Sequence, residues 1–350
     1  MNFLKQAVGI DISKDELVCA IGQMDHTQMI SWGPGRRFAN TTSGFKKLLS
    51  WARSNRQSDE HPLWFVMEAT GVYYESLAYF LSAVQAQVCV LLPNKIRYFA
   101  KSLELKSKTD PIDAEVLVKI GLERKLSPWN PATPQMRSIR VLSREHLEIK
   151  KKRTATKNQL HARKHAFETP KSTIKRLEQQ IRLFDKMLLE IEQELEKIVQ
   201  ADEVLSAKMP KLQTIPGLSF MSLITIIGET HGFALIRNAK QLASYAGLDV
   251  VQRQSGNWSG KSYISKRGNR YLRAVMFMPA LSAIRHNPAL KQFYQRLHEN
   301  KPARKVGVIA VARKLLILSY TLWKNDTVFD YQIATANAKK GGAMISSSTK

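Results

Sequence analysis

Four carboxylates stand where a metal-dependent nuclease would need them. Asp11 and Glu68 each end a short apolar run that is typical of a buried strand. Asp110 and Asp113 are spaced i, i+3, so a helix capped by Thr109 would project both from its first turn on one face. We therefore expect the four acids to converge and to hold two Mg²⁺ (or Mn²⁺) ions, which suits in-line displacement at phosphorus.

Each acid also has a structural interpretation. A strand-terminal aspartate such as Asp11 is often a turn residue. The pair Asp110 and Asp113 could simply be acids favoured by a helix N-terminal dipole. Glu68 is harder to explain by packing, because it closes a five-residue apolar run and is followed by Ala-Thr-Gly. The structural interpretation requires each of these separate explanations to hold at the same time. We therefore favour the interpretation in which the four acids form one functional site.

A second chemical candidate is a serine in the polar stretch from 252 to 261. Ser255 could be a nucleophile on phosphorus, with a developing alkoxide and the phosphate oxygens stabilised by nearby cations, namely Arg253, Lys261, Lys266 and Arg270. The residues predicted to contact nucleic acid are Arg253, Lys261, Lys266, Arg267, Arg270 and Arg273. Spacing alone does not separate Ser255 from other serines in or near this stretch, namely Ser259, Ser262 and Ser265.

The overall charge indicates a polyanionic partner. The 350 residues include 54 Lys and Arg against 29 Asp and Glu, a formal net charge of +25, and nucleic acid is the commonest polyanion that such an excess binds. The longest apolar stretch, 306–323, is interrupted by Arg313 and Lys314, which favours a buried helix over a membrane span. With no signal peptide and no disulfide framework from Cys19 and Cys89, we expect a cytoplasmic protein without membrane contact.

The first part of the chain, 1–127, has the pattern of a mixed α/β sheet. Three antiparallel strands are predicted at 7–12, 17–22 and about 28–38, the last interrupted at 33–35. Helices and strands then alternate, with a helix at 43–53, a strand ending at Glu68, a helix at about 73–83, a strand at 87–92 stopped by Pro93, and a helix at 109–124.

The rest of the chain is predicted to be helical. A proline-rich stretch, 127–134, separates it from the sheet, and a helical hairpin at 134–208 has a heptad seam between Ile174 and Ile198 that serves either its own partner helix or a dimer. The third domain, 209–334, opens with a Pro-Gly helical hairpin that can seat a phosphate, and ends in helices at about 269–285, 288–299 and 303–324. The tail, 335–350, is expected to be disordered.

These motifs together resemble the DEDD transposases of bacterial insertion sequences, a family of bridge-RNA-guided recombinases that also includes the pilin-gene DNA invertases. The resemblance is carried by Gly9-Ile10-Asp11, Glu68-Ala69-Thr70-Gly71, the run from Lys108 to Ala114, Ser255-Gly256 and the run from Ile264 to Gly268. The chain departs from the family at Asp249-Val250, where a proline is common.

The resemblance implies a nuclease-like domain of the RNase H/RuvC type, a coiled coil and a C-terminal transposase domain. It makes Ser255 the nucleophile of a phosphoserine link to DNA, assisted by the metal-bound acids. It also implies a dimer or tetramer in which the acids of one protomer meet the serine of another. The resemblance also implies guidance by a structured RNA, although the invertases of the family need not use one.

Other functions remain open at this point. A two-metal nuclease or junction resolvase would make Ser255 irrelevant, and a DNA invertase would act without guide RNA. A non-catalytic nucleic-acid scaffold needs only the basic charge. An actin-like kinase or ATPase is suggested by Gly9-Ile10-Asp11 at the start of a strand meander, but it lacks a second glycine-rich phosphate loop.

Overall fold

A mixed sheet organises the first part of the chain. The computed structural model describes residues 3–105, 107, 109–255, 258–260, 262–300 and 303–331, and these fall into two units, Met1–Pro131 and Ala132–Lys350. The division lies inside the proline-rich stretch that sequence marks as a boundary. The predicted boundary near 208 stays a prediction, and the predicted disordered tail lies outside the described residues.

The first unit contains six strands and four helices among its described residues. The strands are β1 (Phe3–Ile12), β2 (Glu16–Asp25), β3 (Ile30–Trp32), β4 (Arg36–Ala39), β5 (Leu63–Glu68) and β6 (Gln87–Leu91). The helices are α1 (Thr42–Ser54), α2 (Glu75–Ala83), α3 (Pro93–Ser102) and α4 (Asp110–Glu123).

The sheet has the order β3-β2-β1-β5-β6, with β4 also paired to β2. β1 and β2 are antiparallel, as are the pairs of β2 with β3 and β4, whereas β1, β5 and β6 are parallel. The predicted mixed α/β sheet is confirmed. The third predicted strand forms two segments, because the chain leaves the ladder at Gly33-Pro34-Gly35.

Two apolar clusters cover the two faces of this sheet. Alternation along β1 turns Val8, Ile10 and Ile12 towards α1 and α2, and turns Ala7 towards α3 and α4. Helix α3 is not predicted from the sequence, where Pro93 indicates only the end of a strand. Proline at the first helical position is compatible with helix initiation, and Pro93 occupies that position in α3.

The second unit begins with two long helices that pack on each other. They are α5 (Pro134–His165) and α6 (Lys171–Ala201). Thr133 accepts a hydrogen bond from the Met136 amide and so caps α5. On α6 the seam is buried at Leu188, Ile191 and Leu195, and it is only partly buried nearer its start and at Ile198.

Shorter helices and a small ribbon complete the second unit. The helices are α7 (Glu203–Gln213), α8 (Phe220–Thr230), α9 (Ala239–Tyr245), α10 (Arg270–Val275), α11 (Phe277–His286), α12 (Pro288–Asn300) and α13 (Arg304–Asn325). The ribbon strands are β7 (Val250–Val251), β8 (Gln254–Ser255), β9 (Trp258–Ser259) and β10 (Tyr263–Ile264). The single helix predicted at 269–285 is two helices, since the chain turns at Met276.

Helix α13 is long and apolar enough to span a membrane by length and composition. More than half of its most apolar window, 56%, is buried inside the protein, where it packs against α11 and α12. This confirms the prediction that the stretch forms a buried helix.

Candidate active site

The two strand-end acids lie side by side on neighbouring strands. β1 and β5 are parallel and place Ile10 opposite Met67, so Asp11 and Glu68, each the next residue along, reach the same level. Because side chains alternate along a strand, both acids point to the face that α3 and α4 cover. Both side chains are partly buried.

Helix α4 lies directly on β1, and two glycines make this possible. A Cβ atom built on Gly9 would stand 2.0 Å from the carbonyl oxygen of Ala114, and one on Gly121 would stand 2.8 Å from the Cβ of Ala7. The start of α4 is therefore at the C-terminal end of β1. Its first turn, which carries the helical acid pair, lies at the same end of the sheet as Asp11.

The electrostatics of Asp11 reflect this arrangement. Burial, followed by the charges of Asp113, Asp110 and Glu68, raises the pKa of Asp11 to about 6 from 3.8. Like charges close enough to interact disfavour ionisation of each other, and a divalent cation would reverse that effect. Four carboxylates also supply the hard oxygen donors that Mg²⁺ and Mn²⁺ take. The chemistry of the donor set therefore fits such a cation.

The side chains as placed are not a finished metal cage. Among the described residues, no three His, Cys, Asp or Glu side chains are grouped closely enough to hold a metal ion. The predicted cap of α4 also differs in detail. Thr109 has the extended backbone of an N-cap, but its side chain makes no capping hydrogen bond within the described residues; its carbonyl accepts from the Asp113 amide at 2.9 Å.

Ser255 lies in a short antiparallel ribbon, where the sequence predicts a loop. β7 pairs with β10 at the base of this antiparallel ribbon, and β8 pairs with β9 further out, with Ser255 opposite Trp258. A backbone hydrogen bond from Gly260 to Arg253, 2.9 Å, joins the two pairs. Residues 256 and 257, between β8 and β9, lie outside the described residues. Ser255 is exposed, as an attacking side chain must be.

The structure separates Ser255 from one of its rivals. The Ser265 hydroxyl donates to the Asp249 carboxylate at 2.5 Å, and the Ser265 amide donates to the Asp249 carbonyl at 2.9 Å. Ser265 is thus a structural residue at the base of the ribbon. The same hydrogen bond gives Asp249 a structural role. Asp249 is at the position where the sequence departs from the family pattern. Ser262 is exposed and remains comparable with Ser255.

The side chains predicted to contact nucleic acid differ in their exposure and in their contacts within the protein. Arg253 stacks on Tyr263 within the ribbon, at 5.4 Å from guanidinium carbon to ring centroid. Lys266 and Arg267 are exposed on the segment that follows. Exposed Arg270 donates to the Tyr271 hydroxyl at 3.0 Å. These side chains present positive charge around the base of the ribbon.

Two other predicted cations stand apart. The Arg273 guanidinium donates to the carbonyls of Ala246 and Gly268, at 2.9 and 3.1 Å. Arg273 therefore ties the segment before the ribbon to the segment after it, and a phosphate contact from this side chain stays a prediction. Lys261 lies outside the described residues.

A buried ion pair beneath the ribbon was missed from sequence. Glu229 on α8 is 1% exposed, and both its carboxylate oxygens accept from Arg144 of α5, at 2.6 and 2.8 Å. Asn269, which caps α10, donates to the same carboxylate at 2.5 Å. A lone glutamate in the apolar run of α8 was the available signal, because a buried charge needs a partner.

Two family models match this chain. The DEDD model of IS110-type elements, described as a transposase, matches residues 8–163, and the model of the IS116/IS110/IS902 transposase family matches 209–295. The first range includes all four acids, and the second includes Ser255.

Curated relatives agree with these matches. The pilin gene-inverting proteins of Moraxella bovis and Moraxella lacunata are 29% and 28% identical to this chain, each over 94% of it and 99% of the relative. A shorter similarity, 30% identity over 29% of this chain and 27% of the relative, is to the transposase for insertion sequence element IS1111A of Coxiella burnetii. The resemblance drawn from the motifs is confirmed: the chain belongs to the IS110 family of transposases and DNA-inverting proteins, and it is a DNA recombination enzyme.

Proposed function

We propose that this protein cuts and rejoins DNA through a phosphoserine intermediate formed by Ser255, with the four acids assisting through bound divalent cations. The observation that carries the proposal is the placement of Asp11 and Glu68 beside the first turn of α4, where burial, followed by the charges of Asp113 and Asp110, raises the pKa of Asp11. The exposed Ser255 with its surrounding cations supplies the second half of the chemistry.

The covalent step is a transesterification that conserves the number of phosphate ester bonds. The Ser255 oxygen attacks a DNA phosphorus, a serine–phosphorus bond forms, and one bond from phosphorus to a deoxyribose oxygen breaks. The serine proton passes to solvent or a carboxylate, and the leaving oxygen takes up a proton. In the second step a DNA hydroxyl attacks the phosphoserine and releases Ser255. Arg253, Lys266 and Arg270 stabilise the phosphate oxygens.

Asp11, Glu68, Asp110 and Asp113 would hold Mg²⁺ or Mn²⁺, which supplies Lewis-acid stabilisation of the phosphate when bound. Without a cation the acids repel both one another and the DNA backbone. They therefore need a cation before a phosphate can approach them. The strand order of the first unit supports an RNase H/RuvC-type fold for the domain that carries them.

Covalent capture tests the nucleophile. Wild-type protein is incubated with element-end DNA, Mg²⁺ and RNA transcribed from the flanking region, and a denaturant-resistant protein–DNA adduct is expected. Ser255→Ala should abolish the adduct, whereas Ser262→Ala, which removes another exposed serine of the ribbon segment, should retain it. An adduct that survives Ser255→Ala refutes the assignment.

The other variants separate the competing functions. A plain nuclease or resolvase would keep cleaving after Ser255→Ala and stop after Asp11→Asn. A scaffold would show no cleavage in any variant. The similarity to pilin gene-inverting proteins favours an invertase as the second candidate, and an adduct of full yield without RNA would support it. Activity restored by mixing Asp11→Asn with Ser255→Ala protein would support the expectation that one protomer's acids serve another's serine.

We also propose that the early part of the α6 seam joins protomers into a dimer or tetramer. Leu177 and Ile181 are only half-buried within one chain, although they continue the heptad pattern of the buried Leu188 and Leu195. Leu177→Asp should lower the mass measured by light scattering, and Gln180→Asp on the exposed side of α6 should not. An unchanged mass in Leu177→Asp would assign the seam to its own partner helix, α5.

A further inference from the structure

Helix α3 has a charged outer face that the proposed chemistry does not use. Ile96 and Phe99 point inward and pack in the apolar cluster with α4. Lys95, Arg97 and Lys101 are exposed on the helix. The stretch 93–102 contains no acidic residue, and within the described part of the chain no carboxylate forms an ion pair with these three cations.

An exposed aromatic side chain accompanies the three cations. Tyr98 is 51% exposed, and the Arg97 guanidinium carbon is 5.6 Å from the centre of its ring. At this position the tyrosine ring leaves apolar surface exposed to water and contributes little to the core. Cations that follow a phosphate backbone, interleaved with an aromatic ring on which a base can stack, are the features of single-strand binding surfaces.

The position of α3 connects this surface to the acids. Leu91, the last residue of β6, is the register partner of Glu68, and the Ala69 amide donates to the Leu91 carbonyl at 2.8 Å. Helix α3 begins two residues after Leu91 and then packs on α4, which carries Asp110 and Asp113. The basic surface therefore starts beside one acid and rests on the helix that carries two others.

We propose that the exposed face of α3 binds an unpaired DNA strand and leads its backbone to the acid site. The inference rests on the proposed function, because it takes the acids to act on a DNA phosphate. The acids repel a polyanion, and the three cations offset that repulsion at the adjoining surface. The occupant is single-stranded because Tyr98 can stack only on a base whose face is not covered by its duplex neighbours.

Equilibrium binding tests the charge contribution. Full-length protein is titrated with a fluorescent oligothymidylate in chelator at several salt concentrations. Replacing Lys95, Arg97 and Lys101 together by glutamine should reduce the slope of log affinity against log salt by about 2, since each phosphate contact on a single strand contributes roughly 0.7.

The matched control removes three exposed cations from α1, which covers the opposite face of the sheet. Lys46, Lys47 and Arg53 are exposed on that helix, so the control loses the same net charge. We expect it to change the slope by much less than the α3 variant. Equal effects of the two triple variants would overturn the proposal, because they would show a general electrostatic effect.

Stacking has its own test at Tyr98. Tyr98→Ala should weaken oligothymidylate binding roughly tenfold, and Tyr98→Phe should bind like the wild type, because stacking needs the ring and not the hydroxyl. Both variants should melt at the wild-type temperature, given the exposure of the side chain. Wild-type affinity in Tyr98→Ala would overturn the stacking role.

Photo-crosslinking locates the strand and identifies its kind. A thiothymidine-substituted DNA strand should crosslink to a peptide that includes α3; crosslinks confined to other peptides, or α3 variants that lose RNA binding while keeping DNA binding, would overturn the proposal. Its failure is distinguishable from failure of the serine chemistry. A wild-type adduct with no α3 crosslink removes this inference alone, and α3-dependent binding with no adduct removes the phosphoserine mechanism alone.

Discussion

Replacing Gly9 by alanine should separate the acid site from its supporting helix. The added Cβ would stand 2.0 Å from the carbonyl oxygen of Ala114 and 2.7 Å from the amide nitrogen of Val118. Both are backbone atoms of α4, so no side chain can rotate away to make room. The helix itself must move away from β1.

The size of that movement follows from the contact distances. Ordinary van der Waals contact begins at 3.4 Å and real Cβ atoms essentially never approach closer than 3.0 Å, so α4 has to shift by about 1.0 to 1.4 Å. Overpacking of this kind costs about 1–3 kcal/mol of unfolding free energy. A misplacement of about 1 Å in a catalytic group can lower the rate on the order of a hundredfold. A hundredfold loss of rate corresponds to about 2.7 kcal/mol, so the effects on activity and on stability should be similar in size.

Chemical denaturation and the adduct assay measure the two effects on the same protein. Gly35→Ala is the matched control, because a Cβ at Gly35 meets only the Cys19 carbonyl at 3.5 Å; its stability should stay within about 0.5 kcal/mol of wild type. Adduct formation is measured at a temperature where Gly9→Ala is fully folded. Wild-type stability and wild-type adduct yield in Gly9→Ala would refute the close approach of α4 to β1.

Three further predictions concern charged groups. In chelator at pH 7, Asp11→Asn should melt at a higher temperature than wild type, because the raised pKa of Asp11 means that its ionised form destabilises the fold. This difference in melting temperature should shrink as the pH drops from about 6 to below 3.8, where the wild-type carboxyl group is protonated in both states. Added Mn²⁺ should raise the melting temperature of the wild type only. In denaturant titrations, Arg144→Ala should lower the free energy of unfolding by about 3–5 kcal/mol, because it leaves the buried Glu229 without its counter-charge. Glu229→Gln should lower it less, because the Arg144 side chain is 36% exposed and can be hydrated. Equal losses in the two variants would contradict this reasoning. Burial and nearby Arg140 lower the pKa of His231 to about 4 from 6.5. The unfolded chain therefore binds the proton more tightly, and stability is lost as the pH falls from 6.5 towards 4. Asparagine tolerates the left-handed φ of 51° at this position, so His231→Asn should show a smaller drop in melting temperature between pH 7 and pH 5 than the wild type.

Patterns within one element were readable from sequence. The strands around Asp11 and Glu68 follow from apolar runs that end in a charge, and the structure has them at Phe3–Ile12 and Leu63–Glu68. The i, i+3 spacing of Asp110 and Asp113 correctly predicted the first turn of a helix. These features depend only on local periodicity, which a single sequence contains.

Features that depend on partners were not readable. The strands of the ribbon around Ser255 are two residues long, so no alternation was long enough to detect. Glu229 and Arg144 are 85 residues apart, and periodicity gives no information about which distant side chain a buried charge meets. Helix α3 could not be predicted, because Pro93 is compatible with both the end of a strand and the start of a helix.

The contrast between two carboxylates is the strongest physical argument for a cation at the acid site. The protein has 54 Lys and Arg, and where it buries Glu229 it provides a bidentate arginine and an asparagine amide. Asp11 is also partly buried, yet the charges acting on it within the described residues are those of three other acids. A chain so rich in cations could neutralise this group at little cost. Leaving it among like charges disfavours its ionised form unless a positive partner comes from solution, and the four carboxylates supply the hard oxygen donors that a divalent metal ion takes.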